Sequence, residues 1–135
     1  MPRTSTTQLT YRVPYADTDQ MGIVYYANFL VYFERSRNEA LRSLGLTYRE
    51  MESEGILLPV IEAHCRYLQP ALYDDLLEIH GWFELEGRTR VRACCEVRRG
   101  ETLLAEGYTI HACLSRETRR PVRLPGIFLP SGNEA

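Results

Sequence analysis

The stretch Tyr15-Ala16-Asp17-Thr18-Asp19-Gln20-Met21-Gly22-Ile23-Val24-Tyr25-Tyr26-Ala27-Asn28-Phe29 decides how this chain is read. Before it, Leu9, Tyr11 and Val13 alternate with polar neighbours, the period of a strand, and Pro14 closes the run because it has no ladder donor. After it the period changes. From about Val24 the apolar residues Phe29, Leu30, Phe33, Ala40, Leu41 and Leu44 mark one helical face, and Glu34, Arg35, Asn38, Glu39 and Arg42 the other. Gly45 supplies the stop, so a helix over Val24 to Leu44 is expected, about 30 Å long at 1.5 Å per residue. The quoted stretch is then a short polar loop that delivers two carboxylates to the start of a helix. The unpaired N–H groups of a first helical turn carry roughly half a positive charge. They can hold an anion or polarise a substrate carbonyl.

Downstream, Thr47 and Glu50 have the spacing of a capping box for a short helix from Tyr48 to Ser53, ended by Gly55. Strands are expected over Ile56–Tyr67, Leu76–Glu84, Thr89–Arg98 and Thr102–Leu114, with a short last one over Pro121–Leu124. In the third of these, Val91, Ala93, Cys95 and Val97 share one face and Arg90, Arg92, Cys94 and Glu96 the other. Helix and strands are segregated, which gives an α+β class with an antiparallel sheet of five or six strands. No repeat or internal boundary divides the 135 residues, so one domain over 1–135 is expected, with loose ends at about 1–7 and 125–135. One helix cannot cover both faces of such a sheet. A homo-oligomer follows as an expectation.

Composition removes several classes of function. A formal charge of −2 argues against nucleic acid, which needs a concentrated basic surface. No window approaches the roughly 18 apolar residues of a membrane span, and Met1 to Thr7 lacks the core of a secretory signal, so a cytoplasmic location is expected. The four cysteines, Cys65, Cys94, Cys95 and Cys113, form no CxxC pair and no His spacing that would hold zinc; buried free thiols are expected, with no metal and no cofactor. Every basic side chain is arginine. Two groups, Arg88 to Arg99 and Arg116 to Arg123, read as solvated surface or as a rim for a phosphorylated small molecule.

The loop Tyr15–Phe29, followed by Tyr32-Phe33-Glu34-Arg35-Ser36-Arg37, then Tyr67-Leu68-Gln69-Pro70-Ala71 and Asp74-Asp75-Leu76-Leu77-Glu78, resembles the 4-hydroxybenzoyl-CoA thioesterase branch of the hotdog-fold acyl-CoA thioesterases. The likeness runs from about Tyr11 to Leu124. It implies a curved sheet wrapped around the long helix, dimers with a continuous sheet that often pair into tetramers, and an active site at the dimer interface. The family's catalytic carboxylate matches Asp19, and the backbone N–H that receives the thioester carbonyl matches Tyr26. Gly22 would allow close approach of substrate, and Val24, Tyr25 and Phe29 would line the acyl pocket. Arg88, Thr89 and Arg90 are the candidates for contact with the CoA phosphates.

The chemistry agrees with that assignment. A thioester is already electrophilic and its thiolate leaves readily, so hydrolysis asks for a carboxylate, to attack or to activate water, and for donors to the developing oxyanion. Asp17 is read as structural, orienting the loop. Glu34 and Arg37 read as an i,i+3 pair, and His64 as a satisfied core histidine. Two other readings compete: a hotdog dehydratase or hydratase, which would want a histidine that the loop lacks, and a binder of acyl-thioesters without turnover, whether CoA or carrier-protein linked.

Overall fold

The structure, a computed structural model, describes residues 3–129. Strand β1 (Thr7–Arg12) leads into the loop, helix α1 (Asn28–Ser43) follows, and a short α2 (Tyr48–Ser53) turns the chain toward the sheet. Then come β2 (Ile56–Leu57), β3 (Val60–Tyr67), β4 (Leu76–Leu85), β5 (Arg90–Arg99), β6 (Thr102–Ala112) and β7 (Leu114–Ser115). Five strands make one antiparallel sheet in the order β1-β4-β5-β6-β3, and β2 pairs with β7 apart from it. Helix α1 lies across β1, β4 and β5. The expected α+β class stands.

Alternation decides the sheet's two faces. In β4 and β5 every second residue is buried, among them Leu77, Ile79 and Phe83 on β4 and Val91, Cys95 and Val97 on β5. These meet Phe29, Tyr32, Phe33, Ala40 and Leu41 of the helix. Between the two halves of this core Ser36 faces Gly81, where any Cβ would collide with the Ser36 hydroxyl. The glycine is therefore the room the helix needs. Gly107 does the same for β3, since a Cβ there would strike the His64 carbonyl oxygen.

A buried polar chain also crosses this layer. Arg37 donates to the Thr109 hydroxyl (3.4 Å), which sits 2.8 Å from His111 Nε2, while His111 Nδ1 sits 2.9 Å from the Leu58 carbonyl oxygen. The carbonyl can only accept, so Nδ1 carries the proton and Nε2 receives the Thr109 hydroxyl. Burial, with the nearby Arg37 charge, pushes the His111 pKa down to about 4 against the opposing pull of the Leu58 bond. The ring is neutral at ordinary pH.

Several expectations are corrected. The helix begins at Asn28 and not at Val24: bonds to the carbonyl oxygens of Ala71 and Asp17 hold Val24 and Tyr25 in the loop, and the first backward bonds, from Asn28, Phe29 and Leu30, reach only three residues. Leu30 is exposed, and Tyr32 and Ser36 lie in the core stripe instead. The expected strand Ile56–Tyr67 breaks at Leu58-Pro59, and Pro121–Leu124 forms a single bridge to Leu114 in place of a strand. The capping box is present, with Thr47 Oγ1 accepting the Glu50 N–H and Glu50 accepting the Thr47 N–H. Within the spans expected to be loose, Thr4 is buried and bonded twice to Phe83, and Phe128 packs edge-on against Phe83. Residues 1, 2 and 130–135 lie outside the described residues.

His64 is exposed and stacks on Tyr108, so it is no core histidine. The reason is the position of β3 at the edge of the sheet, where seven of its eight residues are exposed. Cys95 and Cys113 are buried as expected; Cys65 and Cys94 are half-buried, and all four are unpaired. Glu34 makes no ion pair with Arg37 among the described residues.

Candidate active site

The loop is a small tertiary ladder. Thr18 bridges Val24, Ile23 bridges Leu72, and the Val24 N–H donates to the Ala71 carbonyl oxygen at 2.8 Å. This seals the loop against the segment Tyr67–Ala71 that follows β3. Inside it, Asp19 donates its N–H to the Ile23 oxygen and accepts the Gly22 N–H on its own carbonyl oxygen. The Asp19 carboxylate takes the Met21 N–H on Oδ1 at 2.8 Å. Gly22 sits at φ +79°, a backbone state that an L side chain rarely adopts.

Between loop, helix start and the Tyr67–Ala71 segment lies a cleft of about 490 Å³, walled by Asp19, Met21, Ile23, Val24, Tyr26, Phe29 and Tyr67 to Ala71. Of the residues singled out in the sequence, Asp19, Val24, Tyr26 and Phe29 meet here. Gly22 shapes the turn next to Met21 and Ile23 of its wall, and the exposed Tyr25 packs tilted against Tyr26 at a centroid distance of 4.8 Å without lining the cleft. Asp19 is half-buried and forms no ion pair among the described residues.

At the helix start, Asn28, Phe29 and Leu30 donate to the oxygens of Tyr25, Tyr26 and Ala27. Among the described residues the N–H groups of Tyr26 and Ala27 have no acceptor. The peptide that carries the Tyr26 N–H is polarised from behind, because its oxygen, that of Tyr25, accepts from Asn28 at 2.9 Å. Tyr26, whose amide is unbonded among the described residues, thus borders the same cleft as Asp19, whose carboxylate is fixed by Met21.

Sequence reasoning missed Tyr67 and the wall that follows it. The Tyr67 hydroxyl donates to the Tyr26 carbonyl oxygen at 3.0 Å, and its ring meets Phe29 edge-on. Burial, then the Cys65 thiol, pushes the Tyr67 pKa up to about 12, so the hydroxyl stays a donor. The signal is the Tyr67–Ala71 stretch itself, which carries the resemblance while nothing in its spacing tells of its place beside the loop.

Arg88, Thr89 and Arg90 are not at this cleft. They lie at the start of β5, whose far end at Arg99 reaches Pro70 and Asp75, so a strand's length of about 30 Å separates them from it. Arg88 instead borders a second cleft of about 440 Å³ with Arg123, Leu124, Pro125 and Leu129. Neither arginine has an ion-pair partner among the described residues, whereas Arg92, Arg98 and Arg99 are all paired. Among the described residues no three His, Cys, Asp or Glu side chains come together as a metal-ligand set, and no helix is long and apolar enough to cross a membrane.

The family model of the thioesterase-like superfamily matches residues 13–130. The chain belongs to that superfamily. YneP of Bacillus subtilis strain 168 is 34% identical over 117 residues, covering 86% of this chain and 85% of its own. The protein named acyl-CoA thioester hydrolase YbgC of Escherichia coli O6:H1 is 32% identical over 115 residues, covering 84% and 86%. Among solved structures, Slr0204 of Synechocystis, described as a 1,4-dihydroxy-2-naphthoyl-CoA thioesterase, superposes with a TM-score of 0.84 at 28% identity, over 91% of this chain and 92% of its own. The sheet and helix of this superfamily member form the hotdog fold.

Proposed function

We propose that this protein is an acyl-CoA thioesterase, hydrolysing an acyl- or aroyl-CoA to the free acid and coenzyme A. One observation carries the reading: Asp19, with its carboxylate, and Tyr26, whose N–H is unbonded among the described residues, border one apolar cleft. The thioester carbonyl oxygen takes the Tyr26 N–H, which holds the negative charge that develops on that oxygen as the carbonyl carbon is attacked. The charge then collapses back as the C–S bond breaks and the electron pair leaves with the coenzyme A thiolate. Asp19 acts on the carbonyl carbon as nucleophile, or takes a proton from the water that attacks it. With Oδ1 bonded to Met21, Oδ2 is the oxygen left for that work. The acyl group packs on Val24, Phe29 and Tyr67, and Gly22 keeps the turn clear of it. The names of YbgC and Slr0204 support the same substrate class. A reducing, cytoplasmic setting fits the four unpaired thiols.

The working unit in this reading is a dimer joined through β3. An eight-residue edge strand with Val60, Ile61 and Tyr67 about half exposed is an open template for a second copy. Two-fold antiparallel pairing of β3 with β3 reverses the second sheet, so the end of its β5 that holds Arg88 to Arg90 comes level with the cleft of the first. Three strand spacings, about 14 Å, then separate them sideways. The second copy thereby offers Arg88, Thr89 and Arg90, with Arg123, to the phosphates of a CoA whose acyl end lies beside Asp19. Pairs of such dimers make the tetramer.

Thiol release by the purified protein from a panel of aroyl- and aliphatic acyl-CoAs tests the reading. Turnover of at least one class is expected. Tight binding with no thiol release would establish the acyl-thioester binder in its place, and turnover of acyl-carrier-protein thioesters alone would move the substrate to the carrier protein.

A further inference from the structure

Asp17 is joined to more of the loop's surroundings than any function read so far requires. Its Oδ2 accepts two phenols, that of Tyr11 on β1 at 2.8 Å and that of Tyr32 on α1 at 2.7 Å. Its backbone oxygen accepts two more donors, the Tyr25 N–H at 2.9 Å and the Asn28 side-chain amide at 2.9 Å. Asp17 is not part of the cleft wall.

The four bonds form two linked grips. The phenols fix the side chain between the first strand and the second turn of the helix, with the Tyr11 and Tyr32 rings tilted against each other at 5.0 Å. Burial foremost, and then the carboxylate itself, raise the pKa of both phenols, so both remain donors. With residue 17 held, its carbonyl oxygen anchors Tyr25 and Asn28, the two residues that flank Tyr26 and Ala27. The N–H groups of the two residues between these anchors, Tyr26 and Ala27, have no acceptor among the described residues, and Tyr26 borders the cleft.

We infer that Asp17 is a positioning residue for the oxyanion donor: through Tyr11 and Tyr32 it sets where the Tyr26 N–H points, while touching no substrate. The inference rests on the thioesterase reading for its kinetic consequence and on these bonds alone for its structural one. What matters in it is acceptor geometry rather than charge. An asparagine oxygen accepts both phenols as well as a carboxylate oxygen does, and a donor displaced by about 1 Å costs on the order of a hundredfold in rate.

The experiment compares Asp17→Ala, Asp17→Asn and Asn28→Ala by thiol release and by amide exchange of Tyr25, with melting temperature as the check on folding. For Asp17→Ala, kcat is expected to fall at least tenfold with KM within about threefold, and Tyr25 exchange to quicken by a similar factor. Asp17→Asn restores both to within about threefold, and Asn28→Ala, which removes one bond of the second grip, lies between. Full kcat in folded Asp17→Ala, or loss in Asp17→Asn equal to that in Asp17→Ala, overturns the inference. Should the alanine variant fail to fold, Asn28→Ala decides: unchanged kcat and unchanged Tyr25 exchange count against it. If the wild type releases no thiol, the functional reading falls by itself and the exchange comparison still judges the clamp.

Discussion

The Tyr67 hydroxyl donates to the carbonyl oxygen of Tyr26 at 3.0 Å, which ties the edge strand of the sheet to the turn that presents the free amide groups. The phenol belongs to β3 and the oxygen to the helix start, so whatever settles on the β3 edge also settles the donor. Tyr67→Phe removes the bond and leaves the ring in place against Phe29. The Tyr26 oxygen keeps the Phe29 N–H, so folding is little affected. Steady-state thiol release should show kcat lower by about tenfold, the worth of one net hydrogen bond near 1.4 kcal/mol, with KM nearly unchanged.

Dimer formation through β3 makes a second prediction. Lysines at Val60 and Ile61 place charge on the exposed edge. Light scattering should find Val60→Lys/Ile61→Lys as a monomer with most activity gone, although Asp19 is untouched. If the phosphates are held by the second copy, mixing Asp19→Asn chains with Arg88→Ala/Arg123→Ala chains rebuilds one whole site in each mixed dimer. Activity at low substrate should then return to about a quarter of wild type.

The contact of Ser36 with Gly81 makes a third. Gly81→Ala drives a methyl into the Ser36 hydroxyl and should cost about 1–3 kcal/mol in urea denaturation. Among the described residues Ser36 Oγ is buried without a hydrogen-bond partner, so Ser36→Ala is expected to be neutral or mildly stabilising. In the double variant the clash is largely removed. Its loss should fall short of the sum of the singles by at least about 0.5 kcal/mol.

His111 predicts a pH dependence. Its pKa is about 4 in the folded chain, below the ordinary histidine value of about 6.5 that applies once the chain unfolds. Between those values the unfolded state binds a proton that the native state does not, so stability falls as pH drops from about 6.5 to about 4. The full effect is about 3 kcal/mol, and none of it is present above pH 6.5. The difference in urea midpoint between wild type and His111→Gln, measured at pH 7.5 and 4.5, should change in the direction that favours the variant at low pH.

What the sequence made legible was local. The alternation in β5, the stop at Gly45 and the Thr47–Glu50 capping box each depend on residues a few positions apart, and each is found. The loop Tyr15–Phe29 was legible as a unit for the same reason. Its misread boundary, Val24 in place of Asn28, comes from bonds to Ala71 and Asp17 that no helical period encodes. His64 and Leu30 failed likewise, since only the order of strands says that β3 is an edge and only the tilt of α1 says which flank is wet. Tyr11 belongs to a strand alternation and Tyr32 to the motif after the loop, and nothing nearby in sequence announces that their hydroxyls converge on Asp17. Arg88 and Arg90, candidates for the CoA phosphates by their place at the hairpin, stand in one chain at the opposite end of β5 from the cleft, a separation that hairpin position alone does not reveal.

The most direct measurement is kcat/KM for Asp19→Asn on the acyl-CoA that the wild type turns over best. Asparagine still accepts the Met21 N–H, so the melting temperature should hold while the attacking or proton-accepting oxygen is lost. The account predicts a fall of at least about a hundredfold. A folded variant that keeps more than about a tenth of wild-type activity would contradict it.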